Sequence, residues 1–156
     1  MKKLFFTALM CVMTLSLFSQ EIHVSDYVDL GLPSRTLWRA KNESGFYSYD
    51  DAVSSFGDNL PAQWQFKEIV EHCTWTWTGS GYKIIGKNGH SIFLPITGAE
   101  DGNGNFKYVG EYGFYWSSTP MNSEKAWNLC IGASGKWVRN DGRIAKMPVR
   151  LVRGVY

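Results

Sequence analysis

The chain opens on a continuous apolar run, passes through two stretches with helical rhythm, and then alternates. Leu4 to Phe18 is apolar except for Thr7, Thr14 and Ser16. His23 to Gly31 reads as a strand on Val24, Tyr27, Val28 and Leu30, and Leu32-Pro33-Ser34 turns it into a short strand over Thr36 to Ala40. Asn42 to Tyr47 is loop. Ser48 is placed to cap a helix over Tyr49 to Phe56, with Asp50 and Asp51 in the first turn, where the helix dipole favours acids. Gly57-Asp58-Asn59 stops it. Pro61 begins a second helix reaching about Cys73, with Trp64, Ile69 and Cys73 near one face and Phe66 and Val70 beside it. Thr74-Trp75-Thr76-Trp77-Thr78 then alternates strictly, the period of a strand.

From Gly79 the pattern is short strands and turns. Tyr82 to Ile85 and Ser91 to Leu94 flank Lys87-Asn88-Gly89, and Asn-Gly is a strong hairpin signal. Ala99 to Gly113 is a long loop of Gly, Asn and Asp with little core material. Phe114 to Ser117 is a strand and Thr119 to Lys125 a loop. Ala126 to Ile131 and Lys136 to Arg139 form a hairpin around Ala133-Ser134-Gly135. Asn140-Asp141-Gly142 makes a further turn, and Pro148 to Val155 closes the chain as a strand. Two helices followed by a strand-rich half, with no repeat and no linker, predict one α+β domain.

The first 19 residues change the reading of charge. Met1-Lys2-Lys3, the apolar run and the small residue Ser19 have the layout of a secretory signal peptide, cleaved after Ser19. A run of about 15 apolar residues is short for a span of roughly 20, so a membrane anchor is disfavoured. Cys11 lies inside the run and follows Met10 rather than a small residue, which argues against a lipoprotein signal. Cleavage removes Lys2 and Lys3, taking Lys plus Arg from 16 to 14, equal to the 14 Asp plus Glu. A formally neutral domain over residues 20–156, without a second apolar span, carries no electrostatic case for nucleic acid and none for membrane insertion. The chain is thus expected to be exported: periplasmic, at the cell surface or secreted. All seven Trp fall in this domain, which favours a compact aromatic-rich fold. Cys73 and Cys130 are its only cysteines. In an oxidising compartment they either bridge or stand as two buried thiols.

Five segments, in order, resemble one bacterial family. They are Tyr27-Val28-Asp29-Leu30-Gly31-Leu32-Pro33-Ser34 with Leu37-Trp38, and Leu60-Pro61-Ala62 with its helix and the Thr74 to Trp77 ladder. Gly89 to Gly98, Tyr115-Trp116-Ser117-Ser118 and Val149-Arg150-Leu151-Val152-Arg153 complete the set. The chain resembles the Fibrobacter succinogenes major paralogous domain family, found in exported proteins of Bacteroides-type bacteria. The likeness runs from about Tyr27 to Arg153 and implies a C-type-lectin-like fold: two helices, small antiparallel sheets with one near the termini, and a long loop region carrying the ligand face. Related lectin-like folds bind sugars or proteins; some are diversified surface receptors and some sit at adhesin or pilus tips. Two positions depart from the family's pattern. Arg35 follows Leu-Pro-Ser where the family usually has Gly, and Pro61-Ala62-Gln63 replaces the commoner Pro-Thr start.

The candidate chemistry is recognition rather than catalysis. Calcium-dependent sugar sites of lectin-like folds use Glu-Pro-Asn or Gln-Pro-Asp in the long loop and Trp-Asn-Asp in the next strand; here the strand reads Trp127-Asn128-Leu129, without the acid. Trp127 and Leu129 read as core. Asp101-Gly102-Asn103-Gly104-Asn105 begins like a calcium loop, but the sixth and twelfth places hold Phe106 and Tyr112 instead of Gly and Glu. A Gly/Asn turn is the leading reading there, and a non-standard calcium site at Asp101, Asn103 and Asn105 is the second. Gly81 to Lys87 has the spacing of a phosphate loop until Asn88 replaces its hydroxyl residue, and its alternation is that of a strand. His72 and Cys73 are neighbours on a helix and splay apart, while His23 and His90 have no evident partners and read as surface. Ser117, Ser118 and Thr119 lack a His and an acid nearby, so no catalytic residue is assigned. With Asn128, Trp137, Arg139, Asn140, Asp141 and Arg143 they form a candidate binding face, spanning the Ala99 to Gly113 loop, Ser117 to Lys125 and the following hairpin, for an extracellular glycan or surface protein, without a required cofactor. Trp116 is expected in the core and Trp137 at the surface. The alternative role is a structural subunit of an adhesin or pilus.

Overall fold

The computed structural model describes residues 26–154. The leader expected over residues 1–19 lies outside them, as do His23 and Val155 at the two ends of the expected strands. Two short strands at the start, β1 (Tyr27–Asp29) and β2 (Leu37–Arg39), pair antiparallel. The turn between them places Arg35 at φ 60°, with its N–H on Leu32 O at 3.0 Å. This is the left-handed conformation that glycine adopts without strain, at the position where the resembled family has Gly. Ser34 fastens the turn to the second helix through both oxygens of Glu68, at 2.9 Å from its N–H and 2.7 Å from its hydroxyl.

Helix α1 (Tyr49–Phe56) forms as its signals predict. Ser48 Oγ accepts the Asp51 N–H at 3.2 Å, and Gly57 ends the helix at φ 49°. Helix α2 (Gln63–His72) starts two residues after Pro61. Its N-cap, Ala62, has no side-chain acceptor, and two other residues replace it: Gln65 Oε1 takes the Ala62 N–H at 2.7 Å, and Thr119 Oγ1 takes the Gln63 N–H at 2.9 Å. The buried face carries Phe66 and Ile69, with Val70 and Cys73 packed beside them. Trp64, expected on that face, is 53% exposed.

Three sheets and a ribbon follow. Strands β3 (Thr74–Trp77), β4 (Gly81–Ile85) and β5 (Ser91–Pro95) form an antiparallel sheet in that order, β4 and β5 being the Asn-Gly hairpin. The turn of that hairpin docks on β1: Asn88 Nδ2 donates to Asp29 O at 2.8 Å, and His90 Nδ1 lies 3.0 Å from the same oxygen. His90 thus has a partner that the chain pattern did not suggest. The supposed loop from Ala99 contains a ribbon, β6 (Ala99–Glu100) with β7 (Phe106–Lys107). The central sheet runs in the order β10-β9-β8, from β8 (Tyr112–Pro120), β9 (Lys125–Gly132) and β10 (Gly135–Gly142). Only Val152–Arg153 of the closing segment is strand, β11, and it pairs with β2. The molecule is therefore mixed α+β, with two helices and several small antiparallel sheets.

Alternation along the central sheet divides the core in two. Tyr115, Leu129 and Ile131 face α2 and the β3–β5 sheet, within a cluster that includes Trp38, Phe66 and Ile84. Phe114, Trp116, Ala126 and Cys130 face the other way, against Tyr49 and Ala52 of α1 and against Met147, Val149 and Leu151. Trp116 is fully buried as expected, its indole N–H on Tyr47 O at 2.8 Å. Arg150 is 1% exposed. Its guanidinium donates to Asn42 Oδ1 (2.8 Å), Arg39 O (3.1 Å), Ala40 O (3.2 Å) and Phe93 O (2.7 Å), tying the end of β2 and the loop after it to β5. Burial lowers its pKa to about 10, so it stays charged at neutral pH.

Candidate functional site

β10 runs on through Asn140-Asp141-Gly142, which the sequence pattern places in a turn. Asn140, Asp141 and Gly142 stay in register with Trp127, Ala126 and Lys125 of β9, and the ladder has no reason to stop at Arg139. That extension sorts the candidate residues by the two-residue period of a strand. Trp137, Arg139 and Asp141 share one face. Asn140 shares the other with Val138, which packs against the α2-side cluster.

A groove with a cavity volume of about 990 Å³ opens on the Trp137 face. The β6–β7 ribbon and the turn after it supply one wall, through Glu100, Lys107 and Tyr108. Phe114 and Cys130 lie on its floor, β10 supplies Trp137, Arg139 and Asp141, and Ile144 and Met147 lie on the opposite side. Trp137 is 43% exposed, as expected of it. Two glycines seat the aromatic rings. Gly132 and Gly135 are register partners across the hairpin. A methyl group on Gly132 would meet Tyr112 Cδ1 at 2.7 Å, and one on Gly135 would meet Trp137 Cζ2 at 3.2 Å. Each ring thus lies over a strand backbone that has no side chain beneath it. Tyr108 meets Tyr112 edge-on, with centroids 5.8 Å apart, and Phe114 lies 6.0 Å from Tyr108.

The polar groups of the groove are held in pairs. Asp141 accepts from Arg139 Nη2 and from Asn128 Nδ2, each at 2.9 Å, one bond to each carboxylate oxygen. Glu100, 8% exposed, accepts the Gly104 N–H at 2.8 Å and lies 3.5 Å from the Lys146 ammonium. Asp101 turns its carboxylate onto its own loop, accepting from the N–H groups of Asn103 and Asn105 and from Asn105 Nδ2. Those bonds, the Asn103 N–H first, hold its carboxyl below the usual value. The segment that begins like a calcium loop is therefore a self-bonded turn. Among the described residues, no group of three or more His, Cys, Asp or Glu is placed to hold a metal.

Six of the nine expected binding residues lie elsewhere or beneath the surface. Ser117 is fully buried, its hydroxyl donating to Trp127 O at 2.6 Å and accepting the Thr119 N–H. β8 continues to Pro120, which draws Ser118 and Thr119 into the strand. The Ser118 carbonyl accepts the Tyr49 hydroxyl at 2.8 Å, and Thr119 caps α2. Asn128 is fully buried beneath Asp141 and orients it; its Oδ1 has no partner. Asn140 faces away from the groove. Arg143 lies over the Tyr49 ring at 4.6 Å, 3.6 Å from Asp50, and donates to Lys125 O and Asn122 O, so its guanidinium braces α1 against the turn after β8. The sequence reading placed Tyr108 and Tyr112 in the loop of the ligand face without naming them, and it put Phe114 in the strand that anchors the fold. Their clue was the pair of glycines flanking Ala133-Ser134, which leaves space beside β8 and β10. Trp127, read as core, is half-buried, while Leu129 is fully buried.

Cys73 and Cys130 are free thiols. They belong to clusters on opposite faces of the central sheet, so the sheet itself separates them. Burial pushes the Cys73 thiol up to about 11, with Glu68 adding to it, and burial likewise raises that of Cys130. Both are protonated at neutral pH and are weak nucleophiles.

Residues 77–152 match a protein family described as a domain of unknown function (DUF8237). The matched stretch includes every groove residue and leaves out both helices. No curated protein and no solved structure matches the chain.

Proposed function

We propose that the protein is an exported binding module of C-type-lectin-like architecture whose ligand face is the groove between the β6–β7 ribbon and β10. The N-terminal layout of charge and apolar residues supports export. Among the described residues, no helix is long and apolar enough to cross a membrane. The sheet that joins the first and last strands of the described residues, the two helices and the excursion between β5 and β8 support the lectin-like reading. The observation that carries the function is the groove itself: a cavity of about 990 Å³ with aromatic walls and a few fixed polar groups, the usual composition of a ligand site. Two of its carboxylates, Glu100 and Asp141, are each engaged by a cation, which favours a binding role.

Glycan and surface-protein arrays probed with the purified protein test this reading. Binding that is lost in both Trp137→Ala and Asp141→Asn supports it. Binding indifferent to both moves the site off the groove. A second reading has one observation in its favour: β10, eight residues long, stands at the edge of the central sheet. Such an edge can accept a strand from another chain, as a subunit of an adhesin or pilus would require. Concentration-dependent oligomers in ultracentrifugation, abolished by proline at Val138, would favour that role.

A further inference from the structure

The groove's charge and its seated rings say what kind of molecule it takes. Two of its carboxylates have a cation beside them: Glu100 has Lys146 at 3.5 Å and Asp141 has Arg139 at 2.9 Å. The third, Asp101, accepts from its own turn. An ionic ligand at Glu100 or Asp141 must compete with these existing partners. A hydroxyl group, which donates and accepts at once, suits a place where a guanidinium and a carboxylate stand side by side. Trp137 lies with one side over Gly135, so its exposed surface is the outer face and edge of the indole. A rigid ring of that kind, seated in advance, loses little conformational freedom on binding. Tyr108 and Tyr112 extend the aromatic surface along the groove.

We infer that the groove binds a neutral oligosaccharide, one pyranose stacking its C–H face on Trp137 while its hydroxyls bond Arg139 and Asp141. This rests on the binding-module reading and names the ligand class for the same site. The volume of about 990 Å³ is near the upper end for ligand pockets and leaves room for more than one sugar unit. Asn128 is a positioning residue: buried and bonded to Asp141 Oδ2, it sets the carboxylate without reaching the sugar. The inferred contacts, through Trp137, Arg139 and Asp141, require no calcium.

The test is calorimetric titration of the purified protein with the hexasaccharides of cellulose, xylan, mannan, laminarin and starch, each with and without EDTA. Galacturonate hexamer and an unrelated extended decapeptide serve as comparators. The expected result is binding of at least one neutral hexasaccharide, unchanged by EDTA. Affinity falls roughly thirtyfold in Trp137→Ala, as for a buried aromatic anchor, falls also in Asp141→Asn, and is unaltered in Trp64→Ala, which removes an exposed indole on α2. Unchanged circular dichroism shows that the variants are folded. No binding by any neutral hexasaccharide overturns the inference, as does binding indifferent to Trp137→Ala. If only the acidic oligomer or the peptide binds, and does so through Trp137, the neutral-sugar assignment falls while the groove stands as a binding site.

Discussion

The two faces of the central sheet are made by the same three strands and have opposite fates. On the α2 side, Tyr115, Leu129 and Ile131 are closed in by a helix and a second sheet, and no side chain of that row is exposed. On the other side the cover is partial. Helix α1 and the Met147 to Leu151 segment bury Trp116 and Ala126, but among the described residues Trp137 is left 43% exposed. The difference follows from how far the covering elements reach. α1 has eight residues, enough to cover the β8 end of the face, and the β6–β7 ribbon, buried along β6 and exposed along β7, borders the rest without filling it. The closed face supplies stability. The open one leaves apolar surface in water, and it is on this contrast that the proposed binding role rests.

The strongest way to break this comparison is to remove Arg150, which belongs to the closed region. Arg150→Ala removes the shared donor of four oxygens, on Asn42, Arg39, Ala40 and Phe93, and empties a space in which the guanidinium is almost fully buried. The expected loss is about 3–5 kcal/mol in urea unfolding. A loss below about 1 kcal/mol would show that the guanidinium is dispensable and that the closed face does not depend on it. Tyr115→Phe is a gentler probe of the same region. It removes a 2.6 Å bond from the Tyr115 hydroxyl to Pro95 O and leaves the ring in place. About 1–2 kcal/mol is expected. Trp137→Ala, on the open face, should cost less than either while costing far more in binding.

Gly135→Ala sharpens the contrast from the other side. Gly135 has φ 149°, and its new methyl would stand 3.2 Å from Trp137 Cζ2. About 1 kcal/mol of stability should go, from backbone strain alone. The more telling readout is the indole, whose emission should shift as the ring lifts from its seat. A spectrum and a ligand affinity unchanged from the parent would mean that the seating of Trp137 plays no part in recognition.

Local signals were legible where one residue sets one feature. Ser48 and Gly57 bound α1, Asn88-Gly89 made its hairpin, and the Thr-Trp alternation became β3. Errors gathered where the deciding partner is distant in sequence. Thr119 reads as a rim hydroxyl but caps a helix that starts 56 residues earlier. Asn140 reads as a turn residue because Asn-Asp-Gly is turn composition, yet pairing with Trp127 keeps it in the ladder. Arg143 reads as a recognition group until α1 brings Asp50 and Tyr49 to it. Trp137, Arg139 and Asp141 were named from their residue types and their nearness along the chain, and it is the extended β10 ladder that puts them on one face. The loop from Ala99 to Gly113 was assigned to the ligand face, but its ribbon and the wall from the segment after β10 were not legible, because both depend on pairing between distant segments.

The smallest expected effect is a gain, and it asks whether the closed half of the molecule is fully relaxed. Arg35 is exposed at φ 60° in a turn that Ser34 clamps to Glu68 of α2. The clamp fixes the backbone, so Arg35 must hold a left-handed conformation that costs an L-residue about 1–2 kcal/mol. Glycine there removes that cost and returns part of it as extra freedom in the unfolded chain, roughly 0.5–1 kcal/mol. Arg35→Gly should therefore stabilise the protein by about 0.5–1 kcal/mol, visible as a higher urea midpoint at constant slope. The groove is on the other side of the central sheet, so ligand affinity should not change. A destabilised Arg35→Gly would mean that the guanidinium makes a contact in solution worth more than the strain it imposes.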